Sequence, residues 1–406
     1  MTKLSVIIPC FNCADTLEQA VTSVYSQESP PEFELILVDD GSTDTTPVII
    51  ERLARRHPNT RVMRHPANRG GGAARNTGAS ASDGDVLFFL DSDDILDTSF
   101  LKNMAAFWSS KRCDGVAIST SVKFRGNDRA DVAFVDEFAA DERPIPLLAL
   151  FQNWRACPLY STFLITRQAF AKIGGYPVQH GFDTQGMAFR FLCEGLQAFV
   201  APDTIYYHRV EHGASYYLRE MWAGRTNWNW LQVFDEHLYI FSDRIKAALL
   251  DCDPAPPDGE FYSSHVRKIV EPTDDLFAEN VDELIRLGRR GVAERLTASN
   301  NKYDQYWLGG YHLAAGNPKA ALSSFTRALE AGFDHRMIHL KILEASLLLS
   351  GHTESAAAKL NQLLAYTEHR AFPASDRVKT GLRRLLRSVA VGLRIHRPSR
   401  GQSRRG

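Results

Sequence analysis

The chain has 406 residues, of which 44% are hydrophobic and 23% are charged, and its formal net charge is −1. These proportions are ordinary for a soluble globular protein, and the length allows two or three domains. Apolar runs stay well short of the ~20 residues that a membrane-spanning helix needs, which argues against an integral membrane protein.

The N-terminus and the cysteines bear on the cellular compartment. The opening "MTKLSVIIPC" has one lysine and a short β-branched run before Pro9, too short for the core of a signal peptide. Scattered cysteines suit a reducing compartment better than a disulfide framework. We therefore expect a cytoplasmic protein. The six cysteines are Cys10, Cys13, Cys113, Cys157, Cys193 and Cys252.

Five short apolar runs in the first 120 residues predict β-strands. Continuous runs of this kind are typical of strands buried on both faces of a parallel sheet. Helical spacing lies between them, from Leu17 to Val24 and from Val48 to Leu53. The pattern predicts an α/β fold, a doubly wound and mostly parallel sheet whose carboxyl strand ends hold the ligand. The predicted strands are 4–9, 33–40, 60–65, 85–94 and 115–120.

The remainder of the chain differs in composition. Residues 140–250 are mixed and rich in aromatics, whereas "DCDPAPPDGE" at 251–260 has three prolines, one glycine and four acids, which predicts a boundary. Helical patterns dominate from residue 275 onward. We expect a first domain at 1–250, a linker at 251–274, an all-α domain at 275–370 and a basic tail at 371–406.

Small and apolar residues in the predicted helical domain fall at the spacing of a tetratricopeptide repeat. They are Leu308, Gly309, Gly316, Ala321, Phe325, Ala328 and Leu329. A fainter copy follows through Leu343, Gly351, Ala356, Leu360 and Leu363. Because such arrays need three or more copies, an ordinary helical hairpin is the alternative. A repeat-like domain could serve as a docking platform for a protein partner.

Three motifs in the first 95 residues could carry chemistry: "DDGSTD" at 39–44, "NRGGGAARNTG" at 68–78 and "FLDSDD" at 89–94. Glycines let backbone approach a ligand closely, and Arg75 can pair with a phosphate oxygen. Alternating aspartates offer the oxygen ligands that Mg²⁺ and Mn²⁺ prefer. The motifs together predict a site for a phosphorylated, sugar-bearing ligand.

Each motif also has a structural interpretation when taken alone. The first could be a turn with a helix N-cap at Ser42 or Asp44, the second a flexible loop, and the third a surface turn. Their order, their spacing and their shared position at strand ends favour one common site.

Four stretches resemble the inverting family 2 glycosyltransferases of the GT-A fold: "SVIIPCFNCADTLEQAVTSVYSQ", "LILVDDGSTDTT", "NRGGGAARNTGASASDGDVLFFLDSDD" and "GGY" at 174–176. The resemblance covers roughly residues 3–216 and is most specific over 5–94. It implies transfer of a sugar from a nucleotide-diphosphate donor, most often a UDP-sugar, with inversion at the anomeric carbon. It also implies a divalent metal, Mn or Mg, and a glycan, lipid-linked or protein acceptor in polysaccharide or surface-glycan biosynthesis.

The resemblance also implies roles for single residues. Along the nucleotide would lie Pro9, Phe11 and Asn12, while Asp40, with Asp39 beside it, would meet the uracil, and Arg75 would meet the base or the diphosphate. The DXD motif at the ribose and the metal would be formed by Asp91 and Asp93. Asp94 would be a second metal-side carboxylate or a structural one.

Family members usually supply the general base from an "ED" pair ahead of an arginine. Here "GFDTQGMAFR" has Asp183 and threonine at those places, so Asp183 is the candidate base, with Glu194 and Glu211 as reserves. The segment "YYHRVEHGAS" resembles the family's arginine–histidine–serine segment. It makes His212 a candidate for the metal or the diphosphate, a polar loop histidine being the alternative.

Other functions fit the motifs less well. Cys10 and Cys13 are spaced like a redox pair but lie inside the nucleotide-binding block. The glycines at 70–72 are consecutive rather than spaced as in a dinucleotide fingerprint. A sugar nucleotidyltransferase would have a glycine-rich loop after the first strand, where this chain has "PCFNCADT". A non-catalytic nucleotide-sugar-binding or scaffold protein stays as the alternative to an enzyme.

Charge is distributed unevenly along the chain. From Asp376 to Gly406 there are ten Lys or Arg and one acid, a net charge of +9, so the other 375 residues carry −10. Apolar residues from Val378 to Leu393 recur at helical spacing, which predicts a basic amphipathic helix suited to an anionic membrane surface. Docking on the helical domain is the alternative. We expect the tail to attach the protein to the inner face of the membrane. We expect no nucleic-acid partner, because the acidic body would be repelled.

Overall fold

The computed structural model describes residues 3–152, 157–210, 226–252, 265–333 and 335–351. Strands and helices alternate through the first 120 residues, as predicted. The strands are β1 Leu4–Cys10, β2 Phe33–Asp39, β3 Thr60–Arg64, β4 Val86–Phe89, β5 Ile95–Leu96, β6 Gly115–Ala117, β7 Thr120–Arg125, β8 Val132–Glu137, β9 Phe163–Thr166, β10 Ala198–Val200 and β11 Ile205–Val210.

Helices in the first part of the chain are α1 Leu17–Tyr25, α2 Thr46–Arg56, α3 Gly71–Ala81, α4 Phe100–Lys111, α5 Ala149–Gln152, α6 Arg167–Lys172, α7 Asp183–Cys193, α8 Thr226–Glu236 and α9 Asp243–Asp251. The later helices are α10 His265–Ile269, α11 Val281–Leu296, α12 Lys302–Ala314, α13 Pro318–Glu330 and α14 Arg336–Leu349. In the described part of the chain, no helix is long and apolar enough to cross a membrane.

The central sheet has seven strands in the order β10-β6-β9-β4-β1-β2-β3. All neighbours run parallel except β9, which is antiparallel to both β4 and β6. Ile7 of β1 lies opposite Ile36 of β2 on one side and Phe89 of β4 on the other. The prediction of a mostly parallel α/β sheet is confirmed.

Helices cover both faces of this sheet. One apolar cluster joins one face to α1, α2 and α4, and a second joins the other face to α3, α6 and α7. Helix α3 approaches the sheet closely at Gly78, where a Cβ atom would lie 2.4 Å from Cγ2 of Ile7. A glycine therefore lets α3 lie directly on β1.

A second sheet has the order β5-β11-β7-β8. The predicted strand 85–94 is shorter in the structure, because β4 ends at Phe89 and residues 91–94 form a turn in which the Asp94 amide donates to the Asp91 carbonyl (3.1 Å). After this turn the chain enters β5, which pairs antiparallel with β11. Adjacent carboxylates at a strand end thus form the connection between the two sheets.

The C-terminal helices pack on the α/β region. The apolar cluster on the α3 side continues through Tyr306 of α12, Phe325 of α13 and Ala345 of α14. A Cβ atom on Gly309 would lie 2.3 Å from Phe325, so α12 and α13 form the close hairpin that the small residues predict. The expected all-α region is confirmed, and its independence as a domain stays a prediction.

Three sequence predictions fall partly or wholly on residues that the structure does not describe. Of the predicted linker, 253–264 lie outside the described residues, and 265–269 form α10 with Val266 fully buried. Ala356, Leu360 and Leu363 of the second repeat copy and the basic tail 371–406 also lie outside the described residues.

Candidate active site

The carboxylate of Asp40, at the end of β2, holds the loop that leads into α3. Its Oδ1 accepts from the Arg69 amide (2.9 Å), and its Oδ2 accepts from the Gly70 amide (2.8 Å). Nδ1 of His65 lies 2.6 Å from Oδ1. Only 2% of Asp40 is exposed. Both oxygens of the residue predicted to meet uracil are therefore used by the protein's own loop.

The neighbouring Asp39 is bound more sparsely. Its Oδ1 accepts from the Ser42 amide (3.0 Å), and among the described residues this is the one donor to its carboxylate. Each carboxylate oxygen can accept about two hydrogen bonds. Of the two aspartates, Asp39 has the greater capacity left for a ligand N–H.

The loops after β1 and β2 are bound to each other through Asn12. Its Oδ1 accepts from the Thr43 amide (2.8 Å), and its own amide donates to Ser42 Oγ (3.1 Å). Asn12 has φ of 48°, a left-handed conformation that asparagine tolerates better than most residues. The adjacent Phe11 is 38% exposed, a solvent-facing aromatic ring at the same edge as Asp39. Pro9 is half-buried in β1.

The glycine run brings the start of α3 close to the segment before α7. A Cβ on Gly71 would lie 2.8 Å from Nη1 of Arg75 and 3.0 Å from Oδ2 of Asp183. A Cβ on Gly72 would lie 2.3 Å from the Pro177 carbonyl oxygen. These two glycines make room for the protein's own side chains and backbone, a use that their spacing did not reveal.

Arg75 joins two carboxylates that the sequence predicted for different roles. Its Nη1 donates to Oδ2 of Asp183 (2.7 Å), and its Nη2 donates to Oδ1 of Asp91 (2.5 Å). The guanidinium also lies over the ring of Tyr176, 5.2 Å from its centre. Burial alone would lower the pKa of Arg75, but Asp183 and Asp91 raise it above its ordinary value. Arg75 is therefore charged and holds both acids at one place.

Asp183, which binds Arg75, is the first residue of α7. Its Oδ1 accepts from the Thr184 amide (2.8 Å). Burial raises the pKa of the Asp183 carboxyl above its ordinary value, Arg75 lowers it in part, and Asp91 raises it further. A raised carboxyl pKa improves a carboxylate as a proton acceptor near neutral pH.

Three carboxylates converge in the turn between β4 and β5. Ligand oxygens of Asp91, Asp93 and Asp94 all lie within 4.8 Å of one another. Oxygens gathered in this way suit Mg²⁺ or Mn²⁺, which are hard cations. The side chain of Asp91 is 41% exposed, so ligands can reach it. The donor set fits a divalent cation.

Asp94 differs from the other two because it is 1% exposed and bound from within. Its Oδ2 accepts from the Tyr206 hydroxyl (2.6 Å), and its Oδ1 accepts from the Arg209 amide (2.8 Å). His208 Nδ1 lies 3.2 Å from Oδ2. Burial would raise the pKa of Asp94, but His208 and these hydrogen bonds lower it below its ordinary value. Both oxygens bind β11, so Asp94 supports the turn.

Glu194, a reserve candidate for the general base, lies away from Arg75 and Asp183. Glu194 is buried, and its Oε1 accepts from the Arg289 amide (3.1 Å) and from Nε of Arg289 (3.0 Å). Arg289 also binds Glu236, which accepts from Nε of Arg190 (2.7 Å). Glu194 therefore belongs to an ionic cluster between α7, α8 and α11. Glu211 and His212 lie outside the described residues.

Comparison with known proteins gives a family match that includes Arg75 and the carboxylate triad and ends before Asp183. Residues 5–169 match the model of the family described as glycosyl transferase family 2. Poly(ribitol-phosphate) beta-N-acetylglucosaminyltransferase TarS of Staphylococcus aureus is 37% identical over 120 residues, which is 29% of this chain and 21% of TarS. Glycosyltransferase GlyG of Streptococcus pneumoniae is 27% identical over 220 residues, 52% of this chain and 72% of GlyG.

Among solved structures, the crystal structure of S. aureus TarS aligns with 89% of this chain and 55% of that chain, at 19% identity and a TM-score of 0.46. The sequence match to TarS, by contrast, spans only about a fifth of that relative's length.

Proposed function

We propose that this chain transfers a sugar from a nucleoside-diphosphate donor to an acceptor hydroxyl, and the match of residues 5–169 to glycosyl transferase family 2 supports this proposal. The observation that carries the proposal is the Arg75 bridge between Asp183 and Asp91, beside a convergent carboxylate triad. The carboxylate triad follows the end of β4 in the central sheet, and the carboxyl ends of parallel strands are where α/β folds bind ligands. The process served is the biosynthesis of a polysaccharide or another surface glycan.

The donor is a UDP-sugar in this proposal. Phe11 offers an exposed ring next to Asp39, whose carboxylate can accept an N–H from the base. We assign the base contact to Asp39 because both oxygens of Asp40 already hold the loop before α3. The two aspartates that the sequence treated as a pair then have separate roles.

Asp91 and Asp93 would hold a divalent cation, Mn²⁺ or Mg²⁺, while Asp94 fixes the turn that carries them. When bound, such a cation supplies positive charge that offsets the charge developing on a departing diphosphate. Arg75 already lies at Asp91 and adds a second positive charge near that position.

Asp183 takes the proton of the acceptor hydroxyl in this proposal. Its Oδ1 accepts from the Thr184 amide and hydroxyl, whereas its Oδ2 accepts from Arg75 and keeps capacity for a further hydrogen bond. Proton transfer to a positioned carboxylate lets the hydroxyl oxygen attack the anomeric carbon from the face opposite the leaving group. A single displacement of this kind inverts that carbon.

The relatives suggest which substrates to test first. TarS is described as acting on poly(ribitol-phosphate) with N-acetylglucosamine, so a polyol-phosphate polymer and UDP-N-acetylglucosamine form a starting pair. A lipid-linked acceptor would give a membrane-bound tail a purpose, and the helical region could dock a protein partner. Peripheral attachment of a cytoplasmic enzyme through 371–406 stays part of the proposal.

The test measures UDP release from a set of UDP-sugars by the purified full chain, with and without Mn²⁺. We expect release that needs both metal and one particular sugar, and a product of inverted anomeric configuration by NMR. A thermal-shift screen selects the donor, because a ligand at 100 times its dissociation constant stabilises by about 2.7 kcal/mol. Tight donor binding without any turnover would contradict the proposal and favour a scaffold.

A further inference from the structure

Arg209 of β11 lies behind the turn that carries the carboxylate triad. Its Nε donates to the Asp93 carbonyl oxygen (2.7 Å), and its amide donates to Oδ1 of Asp94 (2.8 Å). Only 3% of Arg209 is exposed. One residue therefore binds two consecutive residues of the turn from the side of the second sheet.

The rest of the guanidinium is bound to two further elements. Nη2 donates to Oε1 of Gln19 in α1 (2.6 Å), and Nη1 donates to Oδ1 of Asn127 (2.9 Å) and to the Gly126 carbonyl oxygen after β7. The group also lies over the ring of Phe124, 4.6 Å from its centre. Since a guanidinium is planar and its donors have fixed directions, these contacts leave it one orientation.

The 91–94 turn is closed by a backbone hydrogen bond of its own. Its described backbone hydrogen bond runs from the Asp94 amide to the Asp91 carbonyl (3.1 Å). The peptide between residues 93 and 94 sets the direction of the neighbouring side chains. Arg209 holds that peptide by its carbonyl oxygen, and Tyr206 and the Arg209 amide hold the Asp94 carboxylate that follows it.

We infer that Arg209 is a positioning residue for the cation site, because it fixes the 91–94 turn in the conformation that gathers the three carboxylates. The inference rests on the proposed role of Asp91 and Asp93 as metal ligands. Arg209 donates through its Nε and amide to the turn and through its Nη atoms to Gln19, Gly126 and Asn127, so it acts through the turn. Losing a partner that orients metal ligands costs about 10–100-fold in metal affinity.

Two variants test this role. Arg209→Lys keeps the positive charge but loses the planar guanidinium. The lysine therefore cannot bind the Asp93 carbonyl, Gln19 and Asn127 at the same time. Gln19→Ala removes one distant anchor of the guanidinium and leaves the turn untouched. Arg167→Lys is the matched control: Arg167 donates to the Gly84 carbonyl (2.7 Å) and Ser82 Oγ (2.8 Å) just before β4, at the opposite end of that strand.

The measurement is the dissociation constant of Mn²⁺ for each purified full chain, by electron paramagnetic resonance without donor. We expect a rise of about tenfold in Arg209→Lys, a smaller rise in Gln19→Ala and a change within about twofold in Arg167→Lys. UDP affinity measured with a chelator present stays at the wild-type value in all three. Thermal unfolding of each variant records how much the fold is destabilised.

The outcomes distinguish a failure of the positioning role of Arg209 from a failure of the metal role of Asp91 and Asp93. Unchanged Mn²⁺ affinity in Arg209→Lys, or an equal loss in Arg167→Lys, overturns the inference. If Arg209→Lys does not fold, Gln19→Ala decides, and wild-type Mn²⁺ affinity in it overturns the inference. Weaker UDP binding with chelator present would mean direct contact with the donor and would also overturn it. If the wild-type chain binds no Mn²⁺, the metal role of Asp91 and Asp93 fails first, and the inference falls with it.

Discussion

Adjacent aspartates lie near two strand ends of the central sheet, Asp39-Asp40 at the end of β2 and Asp93-Asp94 in the turn after β4. In each pair the second residue is almost fully buried, and both of its oxygens accept hydrogen bonds from the protein. Neighbouring carboxylates repel each other and are costly to bury without donors. In the proposed function, the second acid of each pair serves the chain's own structure, and the first is left for a ligand.

The donors differ between the two strand ends. Asp40 is held by backbone amides of Arg69 and Gly70 in a loop of the same sheet. Asp94 is held by Tyr206 and Arg209 of β11, which belongs to the second sheet. Asp40 therefore shapes one loop, whereas Asp94 joins two sheets. For this reason, substitutions in the acid pair after β4 should have larger effects than the corresponding substitutions at the end of β2.

The two largest effects are expected on turnover, from Asp93→Asn and from Asp183→Asn. If the Asp93 carboxylate helps to hold the cation, its neutralisation should lower kcat by about 10²–10³-fold, because charge developing on the diphosphate loses its stabilisation. Steady-state UDP release measures this, and thermal unfolding checks that the fold is retained. Full activity in the variant, or in the wild-type chain with a chelator, would contradict metal dependence.

Asp183→Asn should lower kcat by about 10²–10⁴-fold, the usual contribution of a general base. UDP affinity should stay nearly unchanged, since the base acts on the acceptor. Glu194→Gln is the matched control: Glu194 binds Arg289 in the ionic cluster away from the site, so that variant should lose stability rather than turnover. A wild-type rate in Asp183→Asn would remove Asp183 from the mechanism.

Asp94→Asn and Asp40→Asn should both destabilise the fold by about 1–3 kcal/mol, because the new amide group cannot accept from every donor now bound. We expect the greater loss at Asp94, where two sheets are joined. Denaturant unfolding of both variants measures the difference. Equal losses, or none at Asp94, would remove the distinction between the two strand ends.

Asp39→Asn is expected to weaken donor binding rather than turnover. One hydrogen bond from the uracil base to a charged acceptor is at stake, which is worth about 1.5–3 kcal/mol, so UDP affinity should fall about tenfold or more. Stability should change less than in Asp40→Asn. Calorimetric titration with UDP tests this, and tighter binding in Asp39→Asn than in Asp40→Asn would reverse the assignment.

The strands and the strand-end motifs could be predicted because Val6–Ile8 and Leu35–Val38 are continuous apolar runs, as in strands buried on both faces. The end of β4 could not, since Leu90 continues the apolar pattern and the turn begins only at Asp91. Strand β9 also escaped prediction, because four residues in an aromatic-rich region carry no periodic signal.

The different roles of the two acids in each pair could not be predicted from the sequence, for another reason. Arg209 and Asp93 are 116 positions apart, and Arg75 and Asp183 are 108 apart. Local patterns report periodicity and turns but not which distant donors reach a carboxylate. The same holds for α12, whose apolar residues predicted a hairpin but not its contact with α8, where the Tyr306 hydroxyl donates to Asp235 (2.8 Å).

A crystal structure with UDP and Mn²⁺ tests most directly the claim that each acid pair has one ligand-binding and one structural member. We expect the ion in contact with Asp91 or Asp93, the uracil N–H on Asp39, and Asp94 and Asp40 still bound to Tyr206 and to the Gly70 amide. An ion contacted by Asp94, or a uracil bound by Asp40, would contradict the account.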